Sequence, residues 1–364
     1  MLYSCHPDSS GRSRSAGRGS RSRRARKYLT VDIHCHVFTP QAEALVKPHY
    51  RPEDDAMARF SSEATREVNR RQMETIAVKL TSVEARLADM DAMGIDVQAI
   101  SPAPPQYHYW TEPELGREMT RLINQRLAEI VAQHPDRFVA IGAVPLQAPE
   151  LAVEELERIV KRLGFRGVEI APHVAGMELS DPRLRKFFAK AEQLGVLIFI
   201  HPQGFADGQR LSDHYFINVI GNPLDSTVGV SHLIFGGVLE RCPKLKICVA
   251  HGGGYLPAYA GRMDHAWANR PDCRLHIKRK PTSYLKRLYF DTIVYTPHQL
   301  EYLVEQYGSD HILTGTDYPY DMGMSDPLGF LESAPRLGRD AREAIAGGNA
   351  ARLLKIARRR AVRQ

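Results

Sequence analysis

The chain has 364 residues, 43% of them hydrophobic and 25% charged, an ordinary globular balance that argues against a disordered or collagen-like protein. No run of 18 apolar residues occurs, so no transmembrane helix and no membrane partner are expected; the length permits one large barrel or two smaller domains. The formal charge of +7 suggests a polyanionic partner at first sight, but the excess is confined to one end.

Residues 1–27 hold Arg12, Arg14, Arg18, Arg21, Arg23, Arg24, Arg26 and Lys27 against a single acid, Asp8, and the rest of the chain is charge-balanced. A Gly/Ser/Arg-rich stretch cannot bury apolar area, so 1–27 reads as a disordered basic tail and 28–364 as the folded domain. A passive tail is favoured over a nucleic-acid or membrane anchor. Arg23-Arg24 lacks the apolar stretch and cleavage site of an export signal. A second basic cluster, Arg358-Arg359-Arg360 with Arg363, ends the chain. Five cysteines (Cys5, Cys35, Cys242, Cys248, Cys273) form no CxxC pair, which points to reduced thiols in a cytoplasmic protein.

Short apolar runs then alternate with longer amphipathic stretches, the pattern of βα units around a parallel sheet. Leu29–His34 is the first predicted strand. Residues 37–80 are Pro-bearing, polar and poorly periodic, and read as an insertion over a barrel mouth. A helix over Val83–Met93 leads to strand two, Val97–Ser101. A helix over about Glu112–His134 leads to strand three, Phe138–Val144. Glu150–Leu163 is helical and Gly167–Ile170 is strand four. Asp181-Pro182 supplies an N-cap and a first-turn proline for a helix to Leu194, where Gly195 stops it. Strand five is Val196–Ile200, followed by a helix over Asp225–Glu240 and strand six, Lys246–Ala250. Strand seven is Leu288–Asp291, with a helix from Pro297 to Gln306; strand eight is His311–Gly315, with a last helix over Asp340–Arg358. Eight such units predict an α/β fold, a single (β/α)₈ TIM-type barrel. An open doubly wound sheet is the runner-up, but no Gly-rich phosphate loop follows strand one.

His34 and His36 are two apart in a strand, so their side chains share a face roughly 7 Å apart along the chain. Alternation turns Cys35 to the other face, as a small packing residue. They end strand one, on the rim where barrel active sites lie. His201 ends strand five, His251 ends strand six, and Asp317 follows strand eight. Each alone reads as well as a solvated or capped polar residue; four strand ends agreeing point to one site. Imidazole nitrogens with one carboxylate suit a divalent metal: zinc first, manganese or iron as alternatives. The set has one histidine more than a metal needs. His251 is the natural candidate for proton transfer, followed by glycines 252–254 that let the chain turn sharply.

Val31-Asp-Ile-His-Cys-His36, Ile200-His-Pro202, Phe235–Arg241, Pro243–Gly254 and Gly315-Thr-Asp-Tyr-Pro319 closely resemble the amidohydrolase superfamily. The branch is that of the metal-dependent decarboxylases, which includes 2-amino-3-carboxymuconate-6-semialdehyde decarboxylase. The likeness runs from about residue 30 to 355. It implies that His34, His36, His201 and Asp317 are metal ligands and that His251 is the acid/base activating a bound water. It also implies a homodimer in which Arg262, on the helix after the Gly run, binds substrate carboxylate in the neighbouring subunit's site. His173, in the loop after strand four, is a candidate to face the substrate. Two departures stand out: no arginine occupies Met73–Lys79, where carboxymuconate decarboxylases carry a pair, and Gln203 replaces the aromatic that follows His-Pro.

The reaction these features predict is non-oxidative decarboxylation of an unsaturated or aromatic carboxylic acid, with His251 and Asp317 moving the proton. The alternative is hydrolysis or hydration of a lactone, amide or enol-type substrate on the same apparatus.

Overall fold

In a computed structural model, which describes residues 28–356, eight parallel strands form one sheet ordered by sequence around a barrel. They are Val31–Val37, Val97–Pro102, Phe138–Gly142, Gly167–Ile170, Leu197–Ile200, Lys246–Val249, Tyr289–Asp291 and Ile312–Leu313. The eighth meets the first through Ile33 N–H to Thr314 O at 2.9 Å and His36 N–H to Tyr318 O at 2.8 Å. The (β/α)₈ architecture is therefore as predicted. The basic tail 1–27 and the Arg358–Arg360 cluster lie outside the described residues.

Alternate residues of the strands divide between two buried layers. Leu197, Phe199 and Cys248 belong to an inner cluster, while Ile198, Ile200, Ile247 and Val249 pack outward with Leu127, Leu156, Phe187 and Leu233 of the surrounding helices. Period two along each strand produces this split. The first strand changes phase: Ile33 lies in the inner cluster and Cys35 in the outer, with a register shift between Asp32 and Cys35. An irregularity of this kind re-aims side chains, and here His34 and His36 both turn to the barrel mouth.

Three elements differ from expectation. The insertion is largely helical, with a 19-residue helix over Glu63–Thr81 capped by the Ser62 hydroxyl. His173 is not in a loop: it pairs with Glu178 in a two-stranded hairpin, His173–Val174 with Met177–Glu178. The last helix is broken into Arg339–Glu343, a π-turn over Ala344–Gly348, and Asn349–Leu353. Gly347 explains the break, because a Cβ there would lie 2.2 Å from the Leu29 carbonyl oxygen. Close approach to the first strand takes precedence over helical regularity.

Candidate active site

The strand ends bring His34, His36, His201, His251 and Asp317 together at one rim. His34, His201, His251 and Asp317 each place a ligand-type atom within 4.8 Å of one another. His36 joins through its Nε2, 3.1 Å from His34 Nε2 and 3.3 Å from Asp317 Oδ1. His36 is thus nearer Asp317 than His251 is, at 3.3 against 3.6 Å, so both histidines compete for the ligand place that the family resemblance gives to His36.

Hydrogen bonds distinguish the five. His34 Nδ1 is 2.6 Å from Asp291 Oδ2, and His36 Nδ1 is 3.0 Å from the Pro102 carbonyl oxygen. Donating at Nδ1 leaves each ring a lone pair at Nε2. Two such lone pairs at 3.1 Å repel unless a proton on one ring or a metal ion stands between them and Asp317. His201 is buried, and neither of its ring nitrogens has a hydrogen-bond partner. Burial first, then the neighbouring His34 and His36, holds it well below the usual histidine range, so it is a neutral donor set for coordination. His34 moves oppositely: burial disfavours its charge, but Asp317 and the Asp291 hydrogen bond outweigh that and push it up to about 10. Two buried carboxylates among imidazoles thus call for positive charge. The residues fit a divalent metal.

His251 differs in being partly exposed, with its side chain 13% accessible, Nε2 3.6 Å from Asp317 Oδ2 and Nδ1 without a partner. His251 and Asp317 both hold left-handed backbone, each at φ 55°, a strain of order 1–3 kcal/mol for non-glycine residues. Glycines make the turn behind His251 possible. Gly253 sits at φ 85°, where a Cβ would lie 2.6 Å from Phe290. Asp317 is fixed by its own N–H bonding His34 O at 2.8 Å.

Several residues that sequence reasoning passed over hold this arrangement. Asp291 accepts from His34 and, through Oδ1, from Gly252 N–H at 2.8 Å. Asp32 ties the first strand to the segment after the eighth by accepting from Thr316 N–H at 3.0 Å, and to the second by accepting from Gln98 Nε2 at 2.9 Å. Arg86, 2% exposed, bonds the His36 carbonyl and stacks 4.8 Å from the Tyr318 ring. Glu169 is buried, accepts from the Tyr107 hydroxyl at 2.7 Å, and lies 3.9 Å from His36 Nδ1.

A cavity of about 280 Å³ opens onto His201, His251 and Asp317. The insertion roofs it with Arg66, Asn69, Gln72 and Met73 from one helix. The Gln72 amide nitrogen and the Tyr320 hydroxyl are buried there without partners. Arg262 does not line this cavity and is exposed on the helix Gly261–Asn269. His173 lines an adjoining cavity instead.

The amidohydrolase family model matches residues 31–356. The chain belongs to that family. This amidohydrolase is 29% identical over 330 residues to 2-amino-3-carboxymuconate-6-semialdehyde decarboxylase of Dictyostelium discoideum, spanning 90% of this chain and 92% of that one. It resembles the solved 5-carboxyvanillate decarboxylase from Sphingomonas paucimobilis with a TM-score of 0.80 at 27% identity, over 91% of this chain and 100% of that one. It also resembles a dihydroxybenzoic acid decarboxylase from Polaromonas sp. JS666, solved with bound manganese and the inhibitor 2-nitroresorcinol; the TM-score is 0.77 at 25% identity, over 91% and 98% of the two chains. Among its described residues, no helix of the amidohydrolase is long and apolar enough to cross a membrane.

Proposed function

We propose that this amidohydrolase is a metal-dependent carboxy-lyase that removes carbon dioxide from an unsaturated or aromatic carboxylic acid without an organic cofactor. The observation that carries the reading is the buried, partnerless His201 ring grouped with His34, His36 and Asp317 at a cavity that His201, His251 and Asp317 line. The relatives named above are decarboxylases, which favours this reaction over hydrolysis or hydration.

His34, His36, His201 and Asp317 would hold the ion. His36 is preferred to His251 as a ligand because its Nδ1 is committed to Pro102 O, which fixes the ring, whereas His251 is partly exposed toward the cavity. Zinc, manganese and iron all suit this donor set. When bound, the ion would supply Lewis-acid polarisation of substrate oxygens. The chain does the rest. Gln72 and Tyr320 offer hydrogen-bond donors to the substrate, and Arg66 offers a guanidinium to a carboxylate. As the carbon–carbon bond to the carboxylate breaks, its electron pair stays on the substrate carbon, where His251 delivers a proton; Asp317 orients the imidazole. Arg262 and His173 are proposed as substrate contacts at a greater remove, Arg262 from a second copy in a homodimer. The four described cysteines are all free, which suits a cytoplasmic setting.

The test is a screen of phenolic and muconic acids with the metal-loaded protein, reading carbon dioxide. Release that chelation and His251→Ala both abolish is the expected result. Metal-dependent turnover that yields ring-opened or hydrated product and no carbon dioxide would overturn the proposal.

A further inference from the structure

Beyond the reaction cavity lies a second one of about 230 Å³. The two share Asp55, Pro104, Pro105 and Gln203 as a common wall. Of the residues given a part in the proposed reaction only His173 lines this second space, yet the rest of its lining is chemically pronounced. Asp225 faces it from the helix Gly221–Phe235. That side chain is only 6% exposed, and among the described residues it makes no hydrogen bond and no ion pair. A largely buried carboxyl with no protein partner leaves its oxygens to whatever enters the cavity.

The surroundings indicate what would satisfy it. Glu53, Asp54 and Asp55 line the same cavity, with Asp54 paired to Arg51 at 3.0 Å, against one formal cation in the lining, Arg59. Arg59 is turned to the Phe60 ring, 4.8 Å from its centroid. Tyr109 and Trp110 add aromatic walls. Acidic groups attract a cation, aromatic faces bind it through their quadrupoles, and an ammonium supplies the hydrogen-bond donors that Asp225 lacks. A bare metal ion would fit less well, because Asp55 already spends Oδ1 capping Met57 and Ala58, at 2.8 and 3.2 Å.

We propose that this cavity is a binding site for an organic ammonium group, with Asp225 as its anchor and Trp110 as part of its wall. Two sources share that chemistry: the distal end of the substrate, reaching across the Gln203 wall, or a separate small amine. The first source rests on the decarboxylase reading; the site itself does not.

Calorimetric titration of the metal-loaded full chain at about pH 9, where Asp225 is ionised, with tyramine, and with 4-ethylphenol as its neutral match, tests the site. Tyramine should bind more tightly than 4-ethylphenol. Asp225→Asn should weaken tyramine by about 10- to 100-fold, the loss of one charge-assisted contact, and leave 4-ethylphenol unchanged. Trp110→Leu should weaken tyramine as well, which keeps the test sound should the first variant fold poorly. Tyramine that fails to bind, or that binds both variants as it binds the wild type, would overturn the proposal. Titration beside an aminoethyl-substituted hydroxybenzoate separates the sources. Competition that Asp225→Asn relieves assigns the ammonium to the substrate; simultaneous binding assigns it to a second molecule. Calorimetry reads binding rather than turnover, so this result and the carbon dioxide assay stand or fall separately.

Discussion

His34 and Asp291 meet at 2.6 Å across the barrel mouth, from the first and seventh strands, and the bond decides which nitrogen of His34 faces the site. The carboxylate is itself held by Gly252 N–H and Ile293 N–H, so the turn carrying His251 and the ring of His34 share one anchor. Carboxylates in this position set the tautomer and basicity of a ligating imidazole. Asp291→Ala is expected to weaken metal affinity about 10- to 100-fold, measured by competition with a chelator of known strength. Unchanged affinity would show that His34 orients without Asp291.

His36 and His251 both stand close enough to Asp317 to be its partner on the metal, and their parts can be separated directly. If His36 is a ligand and His251 the proton carrier, His251→Asn keeps a full equivalent of metal by elemental analysis while carbon dioxide release falls at least about 100-fold. His36→Asn loses both. The reverse pattern of metal content would make His251 the ligand.

Most of this site was legible because its residues sit at or just after the ends of apolar strands: His201 after Leu197–Ile200, His251 after Lys246–Val249 and Asp317 a few residues beyond Ile312–Leu313. Asp291 closes Tyr289-Phe290-Asp291 in the same way, and that register was the available signal. Arg86 was not legible, since an arginine in an amphipathic helix reads as surface and only the fold shows it 2% exposed behind His36. The helix over Glu63–Thr81 hid for the opposite reason. It buries only Thr65, Ile76 and Leu80, too few for an apolar stripe of helical period. Arg66 and Gln72 were hidden with it.

Under the proposed function, Arg66 stands where it could supply the substrate contact that the arginine-free stretch Met73–Lys79 lacks. Its Nη1 bonds Ser61 O at 2.5 Å while the residue lines the cavity. Arg66→Met should raise KM for a good substrate about tenfold with kcat little changed, the mark of lost uniform binding. A fall in kcat at constant KM would instead place Arg66 in the chemical step.

Asp225 predicts a pH dependence of stability. Burial, then the nearby Glu178, raises its carboxyl to about 8. Glu53, Asp54 and Asp55 line the cavity it faces, with His108, His173 and Arg59 as the groups of positive or titratable charge. An unfolded aspartate titrates near 3.9, so between that value and about 8 the folded state binds more protons than the unfolded one. Stability is then fully present below about pH 4 and falls as pH rises through the folded value. Asp225→Asn removes the group and with it this loss, on the order of 2–5 kcal/mol. The melting temperature of the variant should match the wild type near pH 4, rise above it progressively through neutrality, and lead by several degrees at pH 9. A difference that stays constant from pH 4 to pH 9 would mean that Asp225 does not titrate in that window, and that its carboxyl finds a partner in solution.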